Sequence, residues 1–172
     1  LVRDTDYTVT CRPAGVAGTY EMEAAGTGNY TGTVTKQFSV DQTPIDGLEV
    51  KGVSSTYTYT GKAITPEPEV WADGVQLEKD KDYTVSYEDN INAGVAKLVI
   101  TASGTHYAGT KELSFQILRK SIHLCDIGSI QTQVYTGSDI KPTVTVEDDG
   151  KALELLSDYT LMYSNNRKAG TG

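Results

Sequence analysis

The chain has 172 residues and a net charge of −8, and it contains 17 glycines and 11 tyrosines but only 2 phenylalanines and 1 tryptophan. An acidic surface repels phosphate backbones and no basic cluster with interleaved aromatic residues is present, so we expect no nucleic-acid partner. No segment approaches the roughly 18 apolar residues that a membrane span needs, so we expect no membrane insertion of this part of the chain.

Alternating apolar and polar side chains, the mark of a half-buried strand, predict several short strands. In chain order these strands cover residues 7–11, 83–87, 96–102, 112–117 and 159–163. Asp-Gly pairs at 73–74 and 149–150 predict two-residue hairpin turns, because glycine adopts positive φ without strain. The segments 88–94 and 164–170 are rich in turn-forming residues and predict loops. No stretch shows the 3.6-residue apolar period of a helix.

One triplet, Asp-Tyr-Thr, occurs three times at a single interval. Its copies begin at Asp6, Asp82 and Asp158, which are 76 residues apart. The same interval relates the pairs Ala17-Gly18, Ala93-Gly94 and Ala169-Gly170. Later in the repeat the interval becomes 77, as between Phe38 and Phe115, which one inserted residue explains. The chain therefore consists of copies of one unit.

The unit is long enough to bury a small core of its own, so we interpret the repeat as a row of small domains rather than a solenoid. The whole unit is 41–117, while 1–40 is the C-terminal part of a preceding unit and 118–172 the N-terminal part of a following one. We expect the chain to belong to a longer array. The predicted fold is all-β, with tandem immunoglobulin-like β-sandwich domains of about seven short strands each.

Nine of the eleven tyrosines recur at equivalent positions of the repeat. Every copy must fold, whereas a ligand site need exist only once, so recurrence favours a structural role. Each ring adds apolar area to a thin core while its hydroxyl reaches the rim. We therefore interpret the Asp-Tyr-Thr triplet as a signal for the start of a strand.

The residues that usually carry catalysis are few and scattered. His106 and His123 have no nucleophile or acid partner in a recognisable spacing, and with Cys11 and Cys125 they match no zinc pattern. Acidic clusters at 79–82, 88–90 and 147–150 lack the spacing of an EF-hand loop, although calcium bound at loop ends stays an alternative to plain solvated turns. We predict no catalytic residue, no metal site and no cofactor.

Three further residues or segments invite a specific interpretation. Cys11 takes the place of Tyr87 and Tyr163, so we expect it to be a small buried apolar residue, and we expect no disulfide with Cys125. The sequence 26–32 is glycine-rich but lacks the spacing of a phosphate loop. Trp71 has Glu147 as its counterpart and lies on the polar side of its predicted strand. It is our candidate ligand-binding residue, with packing at a domain seam as the alternative.

Three phrases of the sequence resemble a known family. The phrases YTGKAITPEPEV (59–70), DYTVSYEDNINAGVAKLVITASG (82–104) and GNYTGTVTKQFSV (28–40) are similar to the tandem bacterial Ig-like repeats, of the MBG-like kind, in Gram-positive cell-surface proteins. The resemblance implies an extracellular location on a bacterial cell surface, in a protein that is secreted and often attached to the wall. It implies no catalytic residues.

We therefore expect a non-enzymatic structural spacer or scaffold module whose partners are the neighbouring repeats of the same chain. The first alternative is an adhesin module that binds a host glycan or an extracellular protein. The second alternative is an accessory domain of an extracellular hydrolase.

Overall fold

Regular structure in this protein is almost entirely β-strand, which confirms the predicted all-β class. The structure is a computed structural model, and it describes residues 1–11 and 15–168. The third Ala-Gly pair and the end of the 164–170 loop lie outside the described residues. The helical content of the described chain is two short 3₁₀ turns, Ile45–Gly47 and Ile122–Leu124.

The first forty residues form one antiparallel sheet. Its strands are β1 (Tyr7–Cys11), β2 (Gly18–Gly26) and β3 (Thr33–Val40), in the order β1-β2-β3. The β2–β3 register places Tyr20 opposite Phe38, and their rings stack with centroids 5.8 Å apart. None of the described residues of this sheet is buried.

Residues 41–118 contain nine short strands. They are β4 (Thr43–Pro44), β5 (Glu49–Lys51), β6 (Thr56–Thr58), β7 (Glu69–Ala72), β8 (Val75–Gln76), β9 (Tyr83–Glu88), β10 (Gly94–Ala102), β11 (Tyr107–Ala108) and β12 (Thr110–Leu118). Four of them form a sheet in the order β6-β12-β10-β9, three form a second sheet in the order β5-β7-β8, and β11 pairs with β4.

The core of the protein lies between these strands, in residues 41–118. The alternation in β10 places Ala96, Leu98 and Ile100 inward, and all three are fully buried. The neighbouring β12 adds Phe115 and Ile117 to the same cluster. Val70 of β7, Ile45 of the first 3₁₀ turn and Leu77, which follows β8, complete the cluster. The predicted alternation of β9, β10 and β12 is confirmed.

Two strand pairs within residues 41–118 are parallel, β6 with β12 and β4 with β11. The sequence patterns did not predict parallel pairing. β6 pairs with β12 in the register Gln116↔Thr56. The Gln116 N–H donates to the carbonyl of Ser55 at 2.9 Å, and the Tyr59 N–H donates to the carbonyl of Leu118 at 2.8 Å. The short β4 also runs parallel to its partner β11.

Residues 119–168 hold a small sheet of three strands, β13 (Asp126–Ile127), β14 (Val146–Asp148) and β15 (Lys151–Ala152), in the order β13-β14-β15. Among the described residues of this segment, Val146 alone is buried. The chain divides into two units at this point, Leu1–Leu118 and Arg119–Gly172. The three domains expected from the repeat stay a prediction.

Both predicted hairpin turns are confirmed. Asp73 and Gly74 have φ of 49° and 81° between β7 and β8, and Asp149 and Gly150 have 49° and 79° between β14 and β15. Positive φ at both central residues is the geometry that matches the right-handed twist of the flanking strands.

The Asp-Tyr-Thr triplet closes a turn in all three copies. The carboxylate of each aspartate accepts a hydrogen bond from the backbone N–H four residues earlier, at 2.8 Å for Asp6, 2.9 Å for Asp82 and 2.8 Å for Asp158. The residue two positions before each aspartate has positive φ, of 63°, 66° and 73° in chain order. The aspartate therefore ends the turn in each copy, and in the first two copies a strand follows at once.

The tyrosines of the triplet tie two segments together through their hydroxyls. The Tyr83 hydroxyl donates to the carbonyl of Pro68 at 2.9 Å, and 76 residues later the Tyr159 hydroxyl donates to the carbonyl of Val144 at 2.9 Å. Four residues beyond Tyr83, the Tyr87 hydroxyl donates to Pro66 at 2.6 Å. Burial raises the pKa of the Tyr83 and Tyr87 hydroxyls above the ordinary value, so these donors stay protonated at neutral pH.

Two expectations were wrong. Cys11 is exposed, because the β1-β2-β3 sheet buries none of its described residues and the face that carries Cys11 is uncovered. Residues 159–163 form no strand beyond an isolated bridge at Tyr159. The equivalent β9 is held by its ladder with β10, and the described part of the second unit supplies no such partner strand.

We expect the substitution Tyr83→Phe to lower the free energy of unfolding by about 1–2 kcal/mol, because the buried carbonyl of Pro68 would lose its donor. Urea titration followed by the fluorescence of Trp71, the single tryptophan, measures this for residues 41–118. Tyr30→Phe is the control, since Tyr30 is 49% exposed. Equal effects of the two substitutions would contradict a stabilising role of the Tyr83 hydroxyl.

Candidate functional site: the outer face of the β5-β7-β8 sheet

Trp71 is in the central strand of the three-stranded sheet, on the side away from the core. Its neighbour Val70 is fully buried, so the alternation of β7 directs the indole outward. The register places Glu49 of β5 on one side of Trp71 and Gln76 of β8 on the other. The predicted position of Trp71 on the polar face agrees with this geometry.

The indole is half-buried rather than open, because a lysine lies over it. The Lys51 ammonium is 4.8 Å from the centroid of the ring, within the range of a cation–π interaction. The same ammonium is 3.3 Å from the Glu49 carboxylate. The sequence did not show this contact, because Lys51 and Trp71 are brought together by strand pairing alone.

The indole Nε1–H is buried and has no hydrogen-bond partner. A buried donor without an acceptor costs about 1–3 kcal/mol, so this group gains if an acceptor reaches it. A flat apolar ligand such as a sugar ring would need the face that Lys51 covers. A ligand that stacks on this face has to displace Lys51 from the ring.

The other chemistry-bearing residues do not come together. In the parts of the chain that the structure describes, 1–11 and 15–168, no three His, Cys, Asp or Glu side chains are grouped so that they could hold a metal ion. His106 Nε2 lies 3.2 Å from the carbonyl oxygen of Gly15, which places it at a loop contact. Cys125 is a half-buried free thiol.

One ion pair of the second unit was not predicted. Lys120 donates a short hydrogen bond to Asp148, and these side chains are only 20% and 13% exposed. This hydrogen bond raises the pKa of Lys120 above its ordinary value. The repeat could not indicate the pair, because the equivalent positions in the middle copy are Thr43 and Ala72.

The second unit also has an open groove of about 620 Å³. Its lining is mainly apolar and includes Ile130, Tyr135, Ile140 and Leu161. Tyr135 is 62% exposed and Ile130 is 55% exposed. The groove is therefore an apolar surface without a cover.

No protein-family model, no curated protein and no solved structure matches this chain. No helix within the described residues has the length and apolar character to cross a membrane.

We expect the Lys51 ammonium and the indole of Trp71 to stabilise each other by about 0.5–1 kcal/mol. A double-mutant cycle with Lys51→Met and Trp71→Leu isolates this coupling, because the contact between Lys51 and Glu49 cancels between its arms. Unfolding is followed by circular dichroism, since Trp71 is absent from two variants. In the control cycle, Lys62→Met replaces Lys51→Met, and the changes in the free energy of unfolding should add because Lys62 is exposed. Additive changes in both cycles would show that Lys51 does not stabilise the ring.

Proposed function

We propose that the chain is a non-enzymatic structural spacer of a secreted or wall-anchored bacterial surface protein, built from tandem Ig-like β-sandwich units. The observation that carries the proposal is the parallel pairing of β6 with β12. β12 ends at Leu118, where the chain leaves the segment 41–118, and β6 lies in the first quarter of the segment, after β4 and β5.

Parallel pairing of such strands suits a segment under tension. A pull on the two ends draws β6 and β12 in opposite directions along their common axis, so the hydrogen bonds of the pair are loaded together in shear. Antiparallel strands joined by a hairpin would instead separate one bond at a time.

The recurring hydrogen bonds support the same proposal. Asn90 donates its side-chain amide to the carbonyl of Ile64 at 2.9 Å, and Asn166 donates to Ile140 at 3.0 Å. These bonds, the tyrosine bonds and the aspartate turns use residues that recur 76 positions apart. Side chains that form the same internal hydrogen bonds in different copies stabilise the fold of each unit. A spacer needs units that fold, and it needs no ligand site in them.

Single-molecule force spectroscopy on the full chain, held at its two termini, tests the proposal. We expect residues 41–118 to unfold in one event that releases roughly 25 nm of chain. The force of this event should exceed that of any event from the remaining residues, because only 41–118 combines a closed core with a sheared parallel pair. Gradual extension without such an event would overturn the spacer hypothesis.

Two substitutions at one position separate shear from packing. Tyr59→Ala removes the ring and keeps the N–H that donates to Leu118, whereas Tyr59→Pro removes both. If the parallel pair carries the load, Tyr59→Pro should rupture at a clearly lower force than Tyr59→Ala. Equal rupture forces would show that the core, not the pair, resists the pull.

The second candidate is an adhesin that binds a host glycan or extracellular protein through Trp71. The unpartnered Nε1–H favours it, because a ligand could supply the missing acceptor. A screen against glycans and matrix proteins, with Trp71→Ala and Val75→Ala as variant and control, distinguishes the two functions. The spacer hypothesis predicts no saturable binding, and the adhesin hypothesis predicts binding that only Trp71→Ala abolishes. An accessory role beside the catalytic domain of an extracellular hydrolase also stays a prediction.

A further inference from the structure

The repeat places a boundary between residues 40 and 41, but both sides of this boundary belong to one compact unit, Leu1–Leu118. The connection across the boundary is short, because β3 ends at Val40 and β4 begins at Thr43, so that Asp41 and Gln42 form the whole linker. Rotation about the backbone bonds of such a linker can change the angle between the two sides. Contacts around the linker therefore decide whether that angle is fixed.

The turn that precedes β11, residues 103–106, holds the linker. The side-chain amide of Gln42 donates to the carbonyl of Gly104 at 3.3 Å, and the Thr43 N–H donates to the carbonyl of His106 at 2.9 Å. From Thr43 onward, β4 pairs with β11. Both hydrogen bonds use carbonyl groups of the turn, so the path of the linker follows the position of the turn.

The same turn also reaches back across the boundary. His106 Nε2 lies 3.2 Å from the carbonyl oxygen of Gly15, which belongs to the connection between β1 and β2. A carbonyl oxygen only accepts hydrogen bonds, so this contact requires a proton on Nε2. His106 therefore binds the linker with its backbone and the preceding repeat copy with its ring.

The base of the turn is fixed within its own segment. The Ser103 N–H donates to the carbonyl of Asp82 at 2.8 Å, and the Ser103 hydroxyl donates to the carbonyl of Lys81 at 2.8 Å. Thr27, which lies 76 positions earlier, makes the equivalent pair of hydrogen bonds at 2.8 Å and 2.7 Å. The two copies thus share the base of this turn.

Beyond the base, the turn of the middle copy is one residue longer. Residues 28–30 of the first copy read Gly-Asn-Tyr, whereas residues 104–107 of the middle copy read Gly-Thr-His-Tyr. The glycines are 76 positions apart and the tyrosines are 77 positions apart, so the inserted residue that changes the interval lies in this turn. The longer turn is the one whose His106 ring contacts the preceding copy.

An open cleft of about 400 Å³ lies beside the linker, between the two sides of the boundary. Its lining includes Ser39 and Val40 on one side and Thr105 on the other, and most of its residues are small or polar. Apolar packing across the cleft therefore contributes little to the angle between the two sides. The hydrogen bonds of the turn are the contacts that can fix it.

We propose that the turn 103–106 is a joint that fixes the angle between consecutive repeat copies, with His106 as the residue that closes it. The partner that this surface fits is the β1–β2 connection of the preceding copy, where the Gly15 carbonyl accepts from the ring. The inserted residue gives the turn the length to reach it. This inference rests on the proposed spacer role, because a spacer keeps its ends apart only if consecutive units keep their direction.

Distance distributions from pulsed electron paramagnetic resonance on the full chain test the joint. Nitroxide labels are attached to cysteines that replace the exposed Thr35 of β3 and Ser114 of β12, in a chain with Cys11→Ser and Cys125→Ser. A closed joint gives one narrow distance component. Circular dichroism checks that every variant keeps the wild-type strand signal.

His106→Ala removes the donor and should add a second distance component. Loss of one hydrogen bond changes the ratio of open to closed joints by roughly twofold to tenfold. His106→Gln keeps an N–H donor on a side chain of similar reach, so it should return the single component. Thr105→Ala is the control, because it keeps both the length of the turn and His106, and it should match the wild type.

Deletion of Thr105 tests the inserted residue. It restores the length that the turn has in the first copy, so the ring no longer reaches Gly15 and the second component should appear. A wild type with several components overturns the proposal, and so does a single component in either His106→Ala or the deletion variant. The spacer role fails separately, because the unfolding force of 41–118 is assigned to the β6–β12 pair, which these substitutions leave in place.

Discussion

The fold depends on the closure of one small core by two strand groups that are far apart in sequence. β7 and the first 3₁₀ turn bring Val70 and Ile45, and the later β10 and β12 bring the central residues such as Leu98. Where both groups are present, in 41–118, the apolar side chains are buried. Where only one is described, burial almost disappears: Val146 is the single buried residue among 119–168, and 1–11 and 15–40 have none. In a body this small, half of the strands cannot bury an apolar face, whatever their own propensity.

Side-chain hydrogen bonds then fix the turn before β9 and the start of β9 without adding apolar area to the core. The Asp82 carboxylate closes the turn that precedes β9, and the Tyr83 hydroxyl ties the start of β9 to the carbonyl of Pro68. Proline has no N–H, so a segment with prolines at 66 and 68 cannot donate as a regular strand does. Its carbonyls are instead satisfied by tyrosine hydroxyls. The same bonds form around Tyr159, although no strand partner is described there, so they do not require the strand ladder that holds β9.

Sequence patterns predicted the strands and turns that depend on neighbouring residues. They failed where burial or strand formation depends on a strand far away in the sequence. Alternation identified β9, β10 and β12, and the Asp-Gly pairs identified both hairpins, because side-chain direction and turn geometry are local. The same alternation gave wrong results for Cys11 and for 159–163. Inward direction becomes burial only if a second layer is present, and an alternating segment becomes a strand only if a ladder holds it. The outward position of Trp71 was predictable, because the direction of a side chain in a strand is a local property. The position of Lys51 over the ring was not predictable, because the register between β5 and β7 cannot be read from the sequence.

The proposed spacer role depends on one backbone contact. In 41–118 the β6–β12 pair both closes the sheet and lies across the path of a pull on the chain. The corresponding segment of the second unit, 132–134, has no such ladder, so that unit has neither a closed core nor a sheared pair. We therefore expect resistance to tension to be a property of a completed unit rather than of a length of chain.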